Sequence, residues 1–129
     1  MGIRVLVVDD TDHVREMLVE MLALDGFEVV GSAADGESCT ELAVRTDPHV
    51  VVMDLRLRAP AGIDGLETTR RLRAQRPDQH VILYTAYLDA AIEAEARAAG
   101  VALCLGKMEG IPQLERELSR LTLEMAHDT

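Results

Sequence analysis

Five residues stand out by type and by place in the chain: Asp9, Asp10, Asp54, Thr85 and Lys107. Asp9-Asp10 closes the run Ile3–Val8, which is apolar apart from Arg4, and Asp54 closes Val50-Val51-Val52-Met53. Thr85 closes Val81-Ile82-Leu83-Tyr84, and Lys107 follows Val101–Leu105 and Gly106. Gathered on one rim, they would set three carboxylates beside one hydroxyl and one ammonium. Such a set cannot stand together without cost, because two carboxylates about 4 Å apart repel by roughly 4 kcal/mol at an effective dielectric of about 20. A divalent cation resolves the imbalance, and hard oxygen donors in an open shell favour Mg²⁺. A cation held there binds oxygens of a phosphoryl group, while the ammonium and hydroxyl take the others. Phosphoryl transfer is mostly positioning plus charge neutralisation, so this set suffices for it. A carboxylate nucleophile yields an aspartyl phosphate.

Taken singly, each residue has an ordinary alternative. Asp9 and Asp10 serve equally well as caps of a following helix. Thr85 fits a hydrogen-bonded strand end, and a lysine is most often solvated surface. Lys107, however, is the only lysine among 13 Lys and Arg residues. The two cations are not interchangeable where a compact, flexible ammonium is wanted, so its single use at a strand end favours a role.

The elements that must position these residues follow from periodicity. Val14, Met17, Leu18, Met21 and Leu22 fall on one face of a helix, with Thr11 or Asp12 as its cap and Gly26 as its stop. Phe27–Ala34 reads as a second strand and Asp35-Gly36 as a turn. A short helix then runs to about Arg45, with Cys39, Leu42 and Ala43 inward. Pro48 breaks the chain before His49–Asp54, whose unbroken apolar run suits a parallel strand buried on both faces. A loop containing Pro60 and Gly62 leads to a helix from about Gly65 to Arg76, ended by Pro77. Val81–Thr85 is the fourth strand, Asp89–Ala99 a helix stopped by Gly100, and Val101–Leu105 the fifth strand. A last helix carries Ile111, Leu114, Leu118, Leu121 and Met125 on one face. This is an α/β chain of (βα)5 type, a doubly wound five-stranded parallel sheet with helices on both faces. Ligands of such sheets sit beyond the carboxyl ends of the strands, which is where the five residues stand.

Composition agrees. The 129 residues fit one domain, 1–129, and 48% are hydrophobic, so a real core is available. Aromatics are only 2%, so that core is aliphatic. A net charge of −10 argues against direct nucleic-acid binding. Cys39 and Cys104 match no zinc or C-x-x-C spacing and read as buried thiols in a reducing cytoplasm. The apolar runs are too short to span a membrane.

The order Asp-Asp, Asp, Thr-Ala, Lys at successive strand ends resembles the receiver domain of two-component response regulators, over nearly the whole chain. Val29-Val30-Gly31, Pro48–Leu55 and Gly65–Arg73 look most like receivers of LuxR-type helix-turn-helix regulators. The resemblance implies a flavodoxin/CheY-like fold with strand order 2-1-3-4-5. It implies a phosphoprotein that acts as a switch rather than as an enzyme. By it, Asp54 is the phosphoacceptor, charged by the phosphohistidine of a sensor histidine kinase. Asp9, Asp10, Asp54 and the backbone carbonyl of Arg56 hold Mg²⁺. Thr85 is the switch hydroxyl, followed by the small Ala86, and Lys107 pairs with the phosphoryl group. It further implies a homodimer through the fourth helix, fifth strand and fifth helix, and transcriptional control through an output domain outside this chain.

Three features depart from that pattern. Met108 stands where a proline commonly follows the lysine, so a cis peptide is not expected. Cys104 stands where the family often has an aromatic, and Tyr87 could take over part of its role. The loop from Leu55 to Asp64 is a few residues longer than usual. It contains Arg56 and Arg58, which either reshape access or are solvated, the second being expected of Arg58.

Rival readings are weaker. The segment Gly100–Met108 has five residues between its glycines and Met after Lys107, unlike a P-loop. The acidic first turn would repel the phosphate of a flavin. An aspartyl phosphatase of the haloacid-dehalogenase type would need an acid two residues after Asp54, where Arg56 stands. An adaptor that binds partners without phosphorylation has no need of the complete acid, Thr and Lys set.

Overall fold

The computed structural model describes residues 2–58 and 64–127. Pro60 and Gly62, assigned above to a loop, lie outside the described residues. Strands and helices alternate along the chain. The strands are β1 (Arg4–Val8), β2 (Glu28–Ala33), β3 (Val50–Met53), β4 (His80–Thr85) and β5 (Leu103–Gly106). The helices are α1 (Asp12–Leu24), α2 (Gly36–Thr46), α3 (Gly65–Gln75), α4 (Ala90–Ala99) and α5 (Ile111–His127). All strand pairs are parallel and the order is β2-β1-β3-β4-β5, as expected.

The two-residue period of the strands splits the core in two. Leu6, Val8, Val51, Met53, Val81 and Leu83 face one layer, against Cys39 and Ala43 of α2, Leu66 and Leu72 of α3, and Ala96 and Ala99 of α4. Val5, Val7, Val50, Val52, Ile82 and Tyr84 face the other, against Leu18 and Leu22 of α1 and Leu114, Leu118 and Leu121 of α5. All four residues of β3 are buried, as a central parallel strand requires.

Register then sets the rim. Val8 lies level with both Ala33 and Met53, Met53 with Leu83, and Thr85 with Gly106. The chain leaves β1 for one side of the sheet and β3 for the other, so a crevice opens between their carboxyl ends.

Several local expectations are corrected. Residue 101 does not begin the fifth strand: the Val101 amide closes α4 on the Ala96 carbonyl at 3.0 Å, and β5 starts at Leu103. Lys107 opens a short 3-10 turn, Lys107–Glu109, closed by Gly110 with φ 82°. Thr11 occupies the N-cap position of α1, but its side chain makes no capping bond. Met17 and Met21 are exposed although they share the helical stripe, because contact with the sheet is completed by Leu18 and Leu22. Cys39 is buried as expected, and burial pushes its thiol up to about 12; Cys104 is only half-buried.

Candidate functional site

Aspartates precede four of the helices, and the structure uses those at α1 differently. Asp35, Asp64 and Asp89 accept hydrogen bonds from amides in the first turns of α2, α3 and α4, at 2.8–2.9 Å. Those carboxylates are consumed as helix caps. Asp9 instead accepts from the Thr11 amide at 3.0 Å, ahead of α1, and keeps its other oxygen for the crevice. The capping alternative for Asp9 and Asp10 therefore gives way to a rim position.

Asp54 lies one residue past β3, with its amide donating to the Val8 carbonyl at 2.9 Å. This bond fixes it against the end of β1. The N-terminus of α3 presses close behind: a Cβ on Gly65 would sit 2.0 Å from the Asp54 carbonyl oxygen. Only glycine allows that approach. Asp9, Asp10 and Asp54 each offer a carboxylate oxygen, all within 4.8 Å of one another. Asp9 and Asp54 are buried and Asp10 is half-buried.

Lys107 reaches in from the end of β5. Its Nζ donates to Asp9 at 2.7 Å and to Asp54 at 3.1 Å. Thr85 is fully buried at the end of β4, and its hydroxyl oxygen accepts from the Tyr87 amide at 3.2 Å. Of the two tyrosines, Tyr84 is buried in the layer under α1 and α5, while Tyr87 is exposed. The Arg56 guanidinium lies 4.1 Å over the Tyr87 ring, a cation–π contact that joins the loops after β3 and β4.

The electrostatics follow from burial and count. Burial is the largest influence on Asp54 and raises its pKa; Lys107 lowers it and the Asp9 charge raises it again, leaving it above the usual carboxylate value. Burial alone would pull the Lys107 ammonium down, but its bonds to Asp9 and the charge of Asp54 outweigh that and hold it above its ordinary value. One lysine thus fails to neutralise three acids. Three hard oxygen donors this close fit a divalent cation of the Mg²⁺ type.

Some residues around the site escape the sequence reading. Arg58 is exposed, as expected, but it also donates from Nε to the Asp10 carbonyl at 3.1 Å and from Nη2 to Asp12 at 2.6 Å. Its own amide donates to the Ala34 carbonyl at 3.1 Å. Arg15 donates to the Asp9 carbonyl at 2.9 Å and to Asp12 at 2.7 Å. The Asp12–Arg15 pair at i,i+3 carries a sequence signal, whereas Arg58 carries none, since its acceptors lie 46 and 48 residues away. Among the described residues no helix is long and apolar enough to cross a membrane.

Comparison with known proteins follows the same outline. Residues 5–119 match the family model described as the response regulator receiver domain. The chain is 38% identical over 120 residues to the response regulator GacA of Pseudomonas aeruginosa, covering 92% of this chain and 55% of that protein. It thus spans about half the length of the curated relatives it matches. Among solved structures, it is similar to the signal receiver domain of NarL from Mycobacterium tuberculosis, with TM-score 0.80 and 31% identity. That match covers 99% of this chain and 98% of the other. A two-component response regulator of the LuxR family from Aurantimonas sp. SI85-9A1 gives TM-score 0.81 and 30% identity, covering 92% and 86%.

Proposed function

This chain belongs to the family of response regulator receiver domains, and on that footing we propose that it is a signalling switch thrown by phosphorylation of Asp54. The observation that carries the reading is the setting of Asp54: buried past the central strand, 3.1 Å from the lysine, with two further carboxylates at hand. We read residues 1–129 as one receiver domain.

A carboxylate oxygen of Asp54 forms the new O–P bond as the N–P bond of a phosphohistidine breaks, and the electron pair of that bond leaves with the imidazole nitrogen. Asp54 is held for this by its amide bond to Val8 and by the close packing of Gly65. Asp9, Asp10, Asp54 and the backbone carbonyl of Arg56 are the residues that would hold Mg²⁺, which when bound neutralises charge on the phosphoryl oxygens. Lys107, already between Asp9 and Asp54, moves its hydrogen bonds to a phosphoryl oxygen. The Thr85 hydroxyl turns from the Tyr87 amide toward another, and that exchange carries the signal to the loop before α4. The donor is a sensor histidine kinase. The readout is a homodimer through α4, β5 and α5 that controls transcription through an output domain outside these residues; in support, this chain matches only part of longer relatives, among them proteins described as transcriptional regulatory proteins.

An acyl phosphate with Mg²⁺ tests the reading. Intact mass of the parent gains one phosphoryl group, and Asp54→Asn gains none. A variant that still gains it overturns the assignment, and a parent that gains none favours a phosphorylation-independent adaptor. Light scattering on the phosphorylated sample reads the dimer.

A further inference from the structure

Building on the proposed function, we infer that Arg58 is a positioning residue for the metal-binding acid pair, acting through Asp12 and the backbone of Asp10. The arrangement is specific. Two guanidiniums converge on a single carboxylate oxygen of Asp12, Arg15 at 2.7 Å and Arg58 at 2.6 Å. Each also donates to a main-chain carbonyl of the acid pair: Arg15 to Asp9 and Arg58 to Asp10. The peptide planes that carry both acids are therefore held from outside the crevice.

Charge alone does not explain this placement. Among the described residues no arginine forms an ion pair with Asp9, Asp10 or Asp54; the cation that does is Lys107. The arginines spend their charge on Asp12, which stands outside the cluster of three acids. Their effect on the site is thus a matter of geometry, and the carboxylates stay available for a cation.

Arg58 differs from Arg15 in what it joins. Arg15 belongs to α1, so its bonds stay within one loop and helix. Arg58 belongs to the segment after Asp54 and ties it to the turn after β1 through its side chain, and to the end of β2 through its amide on Ala34. It therefore fixes the distance between the two halves of the metal site, the acid pair on one side and the Asp54–Arg56 segment on the other. A ligand set held in register binds a cation without first ordering its donors.

The sign of the effect makes the test decisive. Removing a positive charge beside a cation site should tighten metal binding; removing a positioning contact should weaken it. The parent, Arg58→Met and Arg58→Lys are titrated with Mn²⁺ and with Mg²⁺. One readout is the metal-induced rise in thermal midpoint, the other the rate of phosphorylation by an acyl phosphate. Arg58→Met keeps the apolar stem and is expected to need about ten-fold more metal for the half-maximal effect in both, the lower end for a residue behind the ligands. Its rate at saturating metal should change far less. Arg58→Lys can serve one acceptor at a time and should fall between the two. If Arg58→Met fails to fold, Arg58→Lys against the parent decides by the same split. A variant that binds metal as tightly as the parent, or tighter, overturns the inference; so does a lowered saturating rate with an unchanged metal requirement. A parent that neither responds to metal nor becomes phosphorylated overturns the functional reading, and this one with it.

Discussion

At the amino ends of the strands, Arg4 and Arg76 close on the carboxylate of Asp47, at 3.4 and 2.6 Å. Beside them the buried Gln79 donates to the carbonyls of Pro48, His49 and His80 and accepts from Arg76. His49 accepts from the Arg4 amide at 2.9 Å. Polar groups here satisfy one another. At the carboxyl ends the stoichiometry is reversed: three carboxylates cluster around one ammonium, which bonds Asp9 and Asp54 and leaves Asp10 without it. The pKa directions mark the same contrast, since the hydrogen bond from Arg76 holds Asp47 below the usual carboxylate value while burial holds Asp54 above it. One end is closed by its own residues and works as a staple; the other keeps an excess of carboxylates, which the proposed switch would use to take a cation and a phosphoryl group. Charge imbalance of this kind, more than polarity, marks the carboxyl end as the candidate site.

Gln79→Ala is expected to show the largest effect and to leave the site alone. It strips a donor from three carbonyls and a partner from Arg76 in buried surroundings, so the loss should be about 2–3 kcal/mol in urea denaturation. The rate of phosphorylation of the folded protein should match the parent's. A changed rate at full folding would show that the two ends are coupled and break the comparison.

Lys107→Ala probes the other end. Asp9 and Asp54 lose their hydrogen bonds to a cation, which should cost about 1–2 kcal/mol without metal, and much of that should return when Mg²⁺ is added. The variant should still become phosphorylated but lose the phosphorylation-dependent change in tyrosine fluorescence from Tyr84 and Tyr87. Lys107→Arg should recover it in part, since the broader guanidinium cannot take the same place. The parent's full spectral change in Lys107→Ala would reduce the lysine to a surface charge.

The smallest effect sharpens the contrast through pH. For Asp54 the folded pKa is raised above the ordinary 3.8, so the folded state holds the proton more firmly. Its ionisation therefore destabilises the metal-free fold at neutral pH. That penalty lifts as pH falls through the raised value and is gone below 3.8. His49 runs the other way: burial lowers it from 6.5, so its neutral form is favoured and stability falls as pH drops below 6.5 toward its folded value. Asp54→Asn should accordingly be more stable than the metal-free parent at pH 7, with the gap closing on acidification. His49→Gln should flatten the parent's decline below pH 6.5. A metal-free Asp54→Asn less stable than the parent at pH 7 would mean that the Lys107 ion pair outweighs the repulsion.

How much was legible varies with the range of the cause. Apolar runs and helical stripes locate ten elements because each depends on a two-residue or 3.6-residue period within one segment. Strand ends are less exact: Asp54 falls just outside β3 and Lys107 opens a turn that no periodicity announces. Thr11 looks like a cap, yet Asp9 takes the Thr11 amide, a choice between neighbours that a list of residue preferences does not make.

What the sequence by itself determined is the inventory and its order: acids after the first and third apolar runs, Thr85 after the fourth, the single lysine after the fifth. Parallel pairing of such runs then puts these residues at one edge, because crossover connections bring every strand back in the same direction. Only the tertiary structure decided which charges meet. Asp35, Asp64 and Asp89 are taken up as caps while Asp9 and Asp10 remain at the crevice. Arg58 turns back 46 residues to Asp12, and Arg76 reaches 29 residues to Asp47. An ion pair depends on distance in space, which falls steeply out of reach beyond a few ångströms, and separation along the chain says nothing about it until the sheet has set the register.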